Sequence, residues 1–317
     1  MNVIAMSTGS RQAVGFRSIL AATDASPDAH VALIAATDLA TRSGAHLHLV
    51  NAYSLPTAAV FAYSAYLGPD DPTDPYEAGA RAVLEKEKGR VESLGGRVSG
   101  MHTGQGPIFD VIDRVADEVD ADLVVVGSRE IGGLHRLLAG SVSTSVLHTT
   151  HRPVLIVRGG EHSWPPARFI VGVDRSRESK RAALIAASIA SIYDDAVVEL
   201  VEVLPDPMAP TAHYFNLDGE LAVEHEALDV LAESLEHVAG HPVGSATVFG
   251  EPAGALLARG DGLTGPSLVV VGTRGLGGMR RLLLGSVSTK VLHSGHTPLL
   301  VVPAARDDRV PTPTESR

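Results

Sequence analysis

Residues 124–157 read VVVGSREIGGLHRLLAGSVSTSVLHTTHRPVLIV, and residues 269–302 read VVVGTRGLGGMRRLLLGSVSTKVLHSGHTPLLVV. At a constant offset of 145, 22 of these 34 positions are identical. Neither chance nor shared composition gives that agreement, so the chain carries an internal duplication. The openings correspond as well: SILAATDAS ends near Ser26 and FIVGVDRS ends at Ser176. Each is followed by the helical segment ALIAA, at Ala32–Ala36 and again at Ala183–Ala187. The period is too long for a solenoid unit, and whole domains in tandem are expected, over 16–158 and 166–303. Between them, 159–165 gathers Gly, Pro and polar residues and reads as a linker. Residues 1–15 and the tail 304–317 have no apolar period and are expected to lack order.

Within each copy, strand and helix patterns alternate. SILAAT and FIVGV are short, apolar and rich in small or β-branched residues, as buried strands are. Ser26, with Pro27 behind it, and Ser176 are helix N-cap signals. The runs HLHLVNA and VVELVEV follow, then charged helices near Ala78–Leu94 and Leu221–Val238. A third strand, a helix, LVVVG, a further helix and PVLIV or PLLVV complete the unit. This β-α-β-α-β-α-β-α-β order calls for an α/β fold: two tandem doubly wound domains, each with five parallel strands covered by helices on both faces.

Composition narrows the function. Of 317 residues, 44% are hydrophobic and 20% charged, with a mean hydropathy of +0.14, as in a globular chain. No apolar run is long enough for a membrane helix. The opening MNVIAMSTGSRQ lacks the basic and apolar regions of a secretory leader, and a cytoplasmic location is expected. Zero cysteines remove disulfides, thiolate chemistry and Cys-based metal sites. A net charge of −11 speaks against nucleic acid.

In an open parallel sheet, ligands sit beyond the carboxyl ends of the strands where strand order reverses. That selects Asp24 and Asp174 at the end of strand one, and Gly127 and Gly272 at the end of strand four. In the second copy the following loop reads GTRGLGGMRRLLLGS. Gly272 and Gly275 permit positive φ and close backbone approach. Gly285 and Ser286 stand where a helix begins, and free N–H groups with the positive dipole end suit phosphate oxygens. Arg274, Arg280 and Arg281 add positive charge, and Ser286, Ser288 and Thr289 add hydroxyl donors. These parts fit a polyphosphate cradle.

The pattern G-x2-G-x9-G-[S/T], matched by Gly272, Gly275, Gly285 and Ser286, resembles the nucleotide-binding motif of the universal stress protein family. The strand-one Asp, LVVVG and the closing VLHxxxxPLLVV are also similar to that family. The resemblance implies the strand order 3-2-1-4-5 in each domain and ATP between strands one and four, with Mg²⁺ as an optional companion. It implies that Asp174 contacts the adenosine portion and Val201 packs on adenine. Gly272, Gly275, Gly285 and Ser286 line ribose and phosphates, with Arg274 beside them and Val287 following. The corresponding first-copy positions are Asp24, Val50, Gly127, Gly140, Ser141 and Val142. Where Gly275 stands, the first copy has Glu130, whose carboxylate and Cβ disfavour a triphosphate; weaker binding there is expected.

Other readings compete with these. Gly140-Ser141 and Gly285-Ser286 serve equally as plain helix starts, and Asp24 and Asp174 as turn acids. His46 and His48 share a strand face, and His148/His151 and His293/His296 recur. No carboxylate accompanies them at metal spacing, so hydrogen-bonded histidines and no metal are expected. Walker A and G-x-G-x-x-G patterns are absent, and Gly140–Thr144 lacks the closing glycine of a nucleophile elbow. No catalytic residue is expected, and ATP hydrolysis is at most slow. The resulting expectation is an ATP-responsive regulatory protein of the stress response, acting through an unidentified protein partner. A slow ATPase or nucleotidyl-transfer enzyme, and an interaction module with a vestigial site, are the alternatives. The apolar edge strands PVLIV and PLLVV need pairing. The resemblance implies an intramolecular pseudo-dimer for them; a homodimer of the whole chain stays open.

Overall fold

A computed structural model describes residues 15–54, 75–128, 146–147, 150–158, 164–206, 217–261, 265–273 and 284–304. The first half runs β1 (Ser18–Ala22), α1 (Pro27–Ser43), β2 (His46–Tyr53), α2 (Pro75–Ser93), β3 (Val98–Gln105), α3 (Ile108–Glu118), β4 (Leu123–Gly127) and β5 (Val154–Val157). The second runs β6 (Arg168–Val173), α4 (Arg177–Ala190), β7 (Val197–Leu204), α5 (Leu217–Ala239), β8 (Val243–Phe249), α6 (Pro252–Asp261), β9 (Ser267–Gly272), α7 (Ser286–Ser294) and β10 (Leu299–Val302). Among the described residues the strands form one sheet, in the order β3-β2-β1-β4-β5-β10-β9-β6-β7-β8. Each half therefore shows the order 3-2-1-4-5.

Neighbours within a half are parallel. The halves join where β5 and β10 pair antiparallel, with Leu155 opposite Leu300 and Val154 opposite Val301. Every residue of both strands is buried, so each apolar edge covers the other. Alternation along the strands divides them between two cores. Ile19, Ala21, Leu155, Phe169 and Leu300 join α1, α2, α4 and α5 on one face. Leu20, Ile156, Ile170 and Leu299 join α3, α6 and α7 on the other. Both cores run unbroken across the seam.

Local chemistry sets the helix ends. The Ser26 hydroxyl accepts from the Ala29 N–H at 3.2 Å, Pro27 follows, and Gly44 closes α1 at φ +74°. In the second half the Ser176 hydroxyl accepts from the Ser179 N–H at 3.1 Å. Both expected caps are present.

A residue of the segment read as a polar linker joins the core. Trp164, 5% exposed, donates its indole N–H to Asp38 Oδ2 of α1 at 2.9 Å. The Tyr193 hydroxyl donates to the same oxygen at 2.6 Å, and Arg42 Nε donates to Asp38 Oδ1 at 2.7 Å. The Arg42 guanidinium lies 4.9 Å from the centre of the Tyr193 ring. Burial, and then the bond to Asp38, raise the Tyr193 hydroxyl far above its ordinary pKa. The bond to Asp38 likewise raises Arg42. One carboxylate of the first half thus collects donors from its own helix, from the linker and from the second half.

At the outer edge, His48 Nδ1 and His102 Nε2 meet at 3.2 Å across β2 and β3. Burial is the main cause that lowers both imidazoles below their ordinary value, and for His48 the neighbouring His102 adds to it. Among the described residues, no group of three or more His, Cys, Asp or Glu side chains could hold a metal.

Asp38→Ala leaves two buried donors without their acceptor and is expected to cost about 1–3 kcal/mol. Urea unfolding followed by the fluorescence of Trp164, the only tryptophan, measures this, and Tyr193→Phe is expected to cost less. Because the unfolded chain binds protons at His48 and His102 more readily than the folded one, stability falls as pH drops below the ordinary histidine value. His102→Gln is expected to reduce the loss of urea midpoint between about pH 7.5 and 5.5.

Candidate functional site

The order within each half reverses beside its first strand, so the crevice lies beyond β1 and β4 in one half and beyond β6 and β9 in the other. Each first strand leaves through a strained turn. Ala25 takes φ +57° and Arg175 φ +63°, both left-handed without being glycine, a conformation that costs about 1–2 kcal/mol per residue. The acid before each holds the turn. Asp24 Oδ1 accepts from the Ser26 N–H at 3.0 Å. Asp174 Oδ1 accepts from the Ser176 N–H at 3.2 Å and the Ser176 hydroxyl at 2.6 Å. The turn-acid role is therefore real for one oxygen of each carboxylate. The same turn geometry recurs at the end of strand one in both halves, beside the crevice.

The strand-four glycines serve a purpose different from the expected one. Neither Gly127 nor Gly272 has a positive φ. A Cβ on Gly127 would lie 2.4 Å from the Asp28 carbonyl oxygen. On Gly272 it would lie 3.0 Å from Glu178 Cβ and 3.1 Å from the Ser179 nitrogen. These glycines let the first turn of α1 or α4 rest directly on strand four, which narrows the crevice from the protein side.

The adenine-packing residues also need correction. Val50 and Val201 are 1% and 0% exposed, sealed in the core beneath α3 and α6 respectively. Two residues further on, Ala52 and Val203 share that face and are only partly buried. They offer the apolar surface nearest the strand ends. The signal was available: β2 and β7 run on to Tyr53 and Leu204, so period-two alternation carries the same face to Ala52 and Val203.

At α7 the backbone begins at Gly285, with φ −62° and ψ 158° and no side-chain cap. The Gly285 N–H donates to the Thr273 carbonyl at 2.7 Å, fastening the helix start to the residue that leaves β9. Ser286 is exposed and Val287 half-buried. Ser288 and Thr289, expected to offer hydroxyls to the crevice, instead donate to the Gly285 and Leu284 carbonyls at 3.0 and 3.4 Å. The α4 terminus, by contrast, already has Ser176 as its cap. Of the two helix starts beside this crevice, α7 is the one left to receive an anion. Arg274, Gly275, Glu130, Gly140, Ser141 and Val142 lie outside the described residues.

A cavity of about 330 Å³ opens on the other face, lined by Val173, Arg175, Lys180, Glu202, Leu228 and Leu231 among others. Arg175 Nε stands 3.6 Å from Glu202 Oε1 at its mouth. None of the residues selected from sequence lines it.

The sequence profile described as the universal stress protein family matches residues 15–158 and 167–303. A universal stress protein of Mycobacterium tuberculosis strain H37Rv is 35% identical over 189 residues, 57% of this chain and 62% of that protein. The chain thus matches less than two thirds of that relative's length. Another, from strain CDC 1551, is 31% identical over 240 residues, 73% of this chain and 72% of its own. The crystal structure of a universal stress protein from Archaeoglobus fulgidus shares the fold, with a TM-score of 0.66 at 21% identity, covering 90% of this chain and 98% of that one. The chain belongs to the universal stress protein family.

Gly127→Ala and Gly272→Ala are both expected to destabilise. Gly127→Ala is expected to cost more, because its Cβ would meet backbone at 2.4 Å, where no side chain can move aside. Overpacking of this kind costs about 1–3 kcal/mol, and denaturant midpoints of the two variants rank them.

Proposed function

We propose that the second half binds ATP in the crevice beyond β6 and β9, with the phosphates on the N-terminus of α7, and that occupancy controls a protein partner. The observation that carries this reading is the start of α7: without a side-chain cap among the described residues, fixed to the end of β9 by the 2.7 Å bond from Gly285 to Thr273, and standing at the reversal of strand order. Backbone N–H groups and the positive dipole end there complement phosphate oxygens. Gly285, Ser286 and Val287 frame the phosphate end. Asp174, at the end of β6, stands near the ribose, and Val203 supplies apolar surface for the base. Arg274 and Gly275, which follow β9 in sequence, contribute positive charge and a side-chain-free backbone to the phosphates, with Mg²⁺ as an optional companion.

The first half holds the equivalent site at Asp24, Gly140, Ser141 and Val142, weakened by Glu130 where the second half has Gly275. The role follows from occupancy rather than turnover: bound ATP changes the surface offered to the partner.

Ser286→Glu tests this reading. An acid in the first helical turn favours the helix, and position 286 is exposed, so the fold is expected to survive. The same carboxylate repels phosphate. ATP affinity by isothermal titration calorimetry is expected to fall at least about tenfold, a loss of roughly 1.4 kcal/mol. Unchanged affinity would remove α7 from the site.

A further inference from the structure

The C-terminal end of α7 is held by a residue from the other half. Arg158 follows β5 and is 4% exposed. Its Nη1 donates to the Gly295 carbonyl at 2.6 Å and to the Val291 carbonyl at 3.4 Å. Gly295 is the residue that caps the helix, and its N–H already donates to the Val291 carbonyl at 3.0 Å; the guanidinium ties this last turn to its cap and complements the negative dipole end. Gly295 is held close, since a Cβ on it would meet Arg158 Nη1 at 3.4 Å and the Val291 carbonyl at 3.0 Å.

The helix has nine residues, about 13 Å at 1.5 Å per residue. A rod that short is aimed by what grips its ends. The Gly285–Thr273 bond grips the N-terminal end and Arg158 the other. Along its outer side, Lys290 pairs with Glu251 at 3.0 Å, but those side chains are 56% and 49% exposed, and such a pair contributes little.

The matching position in the second half offers no such grip. At the repeat offset, the position matching Arg158 is Pro303, which has no side-chain donor. The Pro303 carbonyl instead accepts from Arg181 Nη1 at 2.7 Å, on α4 of its own half.

We infer that Arg158 is a positioning residue through which the first half aims the phosphate-binding end of α7 in the second half. The inference rests on the nucleotide reading above and adds to it a direction of coupling: the β5–β10 seam sets the second site. It calls for a phosphate-specific effect, because the grip acts on α7 and not on the surface for the base.

The test compares Arg158→Met and Arg158→Lys with wild type, using ATP and adenosine as separate probes in calorimetry. Hydrogen exchange at residues 285–289 of the nucleotide-free protein is the second readout. Arg152→Met, which removes the 2.7 Å bond from Arg152 Nε to the Ala121 carbonyl in the first half, controls for the loss of a well-anchored arginine. Arg158→Met is expected to weaken ATP five- to tenfold with adenosine affinity unchanged, and to speed exchange at 285–289, while Arg152→Met does neither. Arg158→Lys is expected to restore part of the loss, and it carries the test should the methionine variant fail to fold. Equal ATP affinity and equal exchange in the Arg158 variants and wild type would overturn the inference. Failure of wild type to bind ATP would strike the nucleotide reading instead. Exchange at 285–289 would then decide by itself whether Arg158 aims the helix.

Discussion

The antiparallel pairing of β5 with β10 is the contact on which the rest of the molecule depends. Each strand is four apolar residues long and wholly buried, so either half alone would end in an edge that invites association. Pairing them removes both edges at once, and it fixes how the halves meet. Because residues alternate across a strand, the seam extends both cores: Leu155 and Leu300 join one face, Ile156 and Leu299 the other. It also delivers Arg158 to the end of α7, and it leaves α1 of the first half where Asp38 can collect Trp164 and Tyr193. A two-residue register slip would keep the strands apolar but break those polar contacts. The polar contacts therefore specify the register that the apolar surface merely permits.

Much of this was legible along the chain. The repeat at an offset of 145, the Ser26 and Ser176 caps, the strand runs and the need of PVLIV and PLLVV for pairing are local properties of sequence, and each has its counterpart in the fold. The readings that failed concerned where a side chain or a missing Cβ ends up. Gly272 looked like a ligand-facing glycine, but the group it accommodates is α4, almost a hundred positions earlier. Val201 is sealed in the core, two residues before the partly buried Val203 on the same face. The Ser288 and Thr289 hydroxyls turned back onto carbonyls of their own helix start, as short hydroxyl side chains readily do. Trp164 sat in a stretch whose neighbours are polar, and its burial depends on Asp38, which spacing does not connect to it. His102 gave no signal until β3 was laid beside β2.

The two halves share an ancestor in sequence, yet they do not treat their crevices alike. The second half holds α7 at both ends, one end by its own β9 and the other by a cation from across the seam. Its strand-one turn carries Arg175 against the buried Glu202. At the matching place in the first half stands Ala25, and Asn51 donates to the Thr23 carbonyl at 2.6 Å. Duplication allows this kind of division: a residue of one copy holds the end of a helix in the other.

Native mass spectrometry during ATP titration addresses that division most directly. The account predicts that one ATP per chain is taken up first, with the second entering only at higher concentration, and that Ser286→Glu removes the first uptake. Two nucleotides entering together at equal affinity, or none at all, would contradict it.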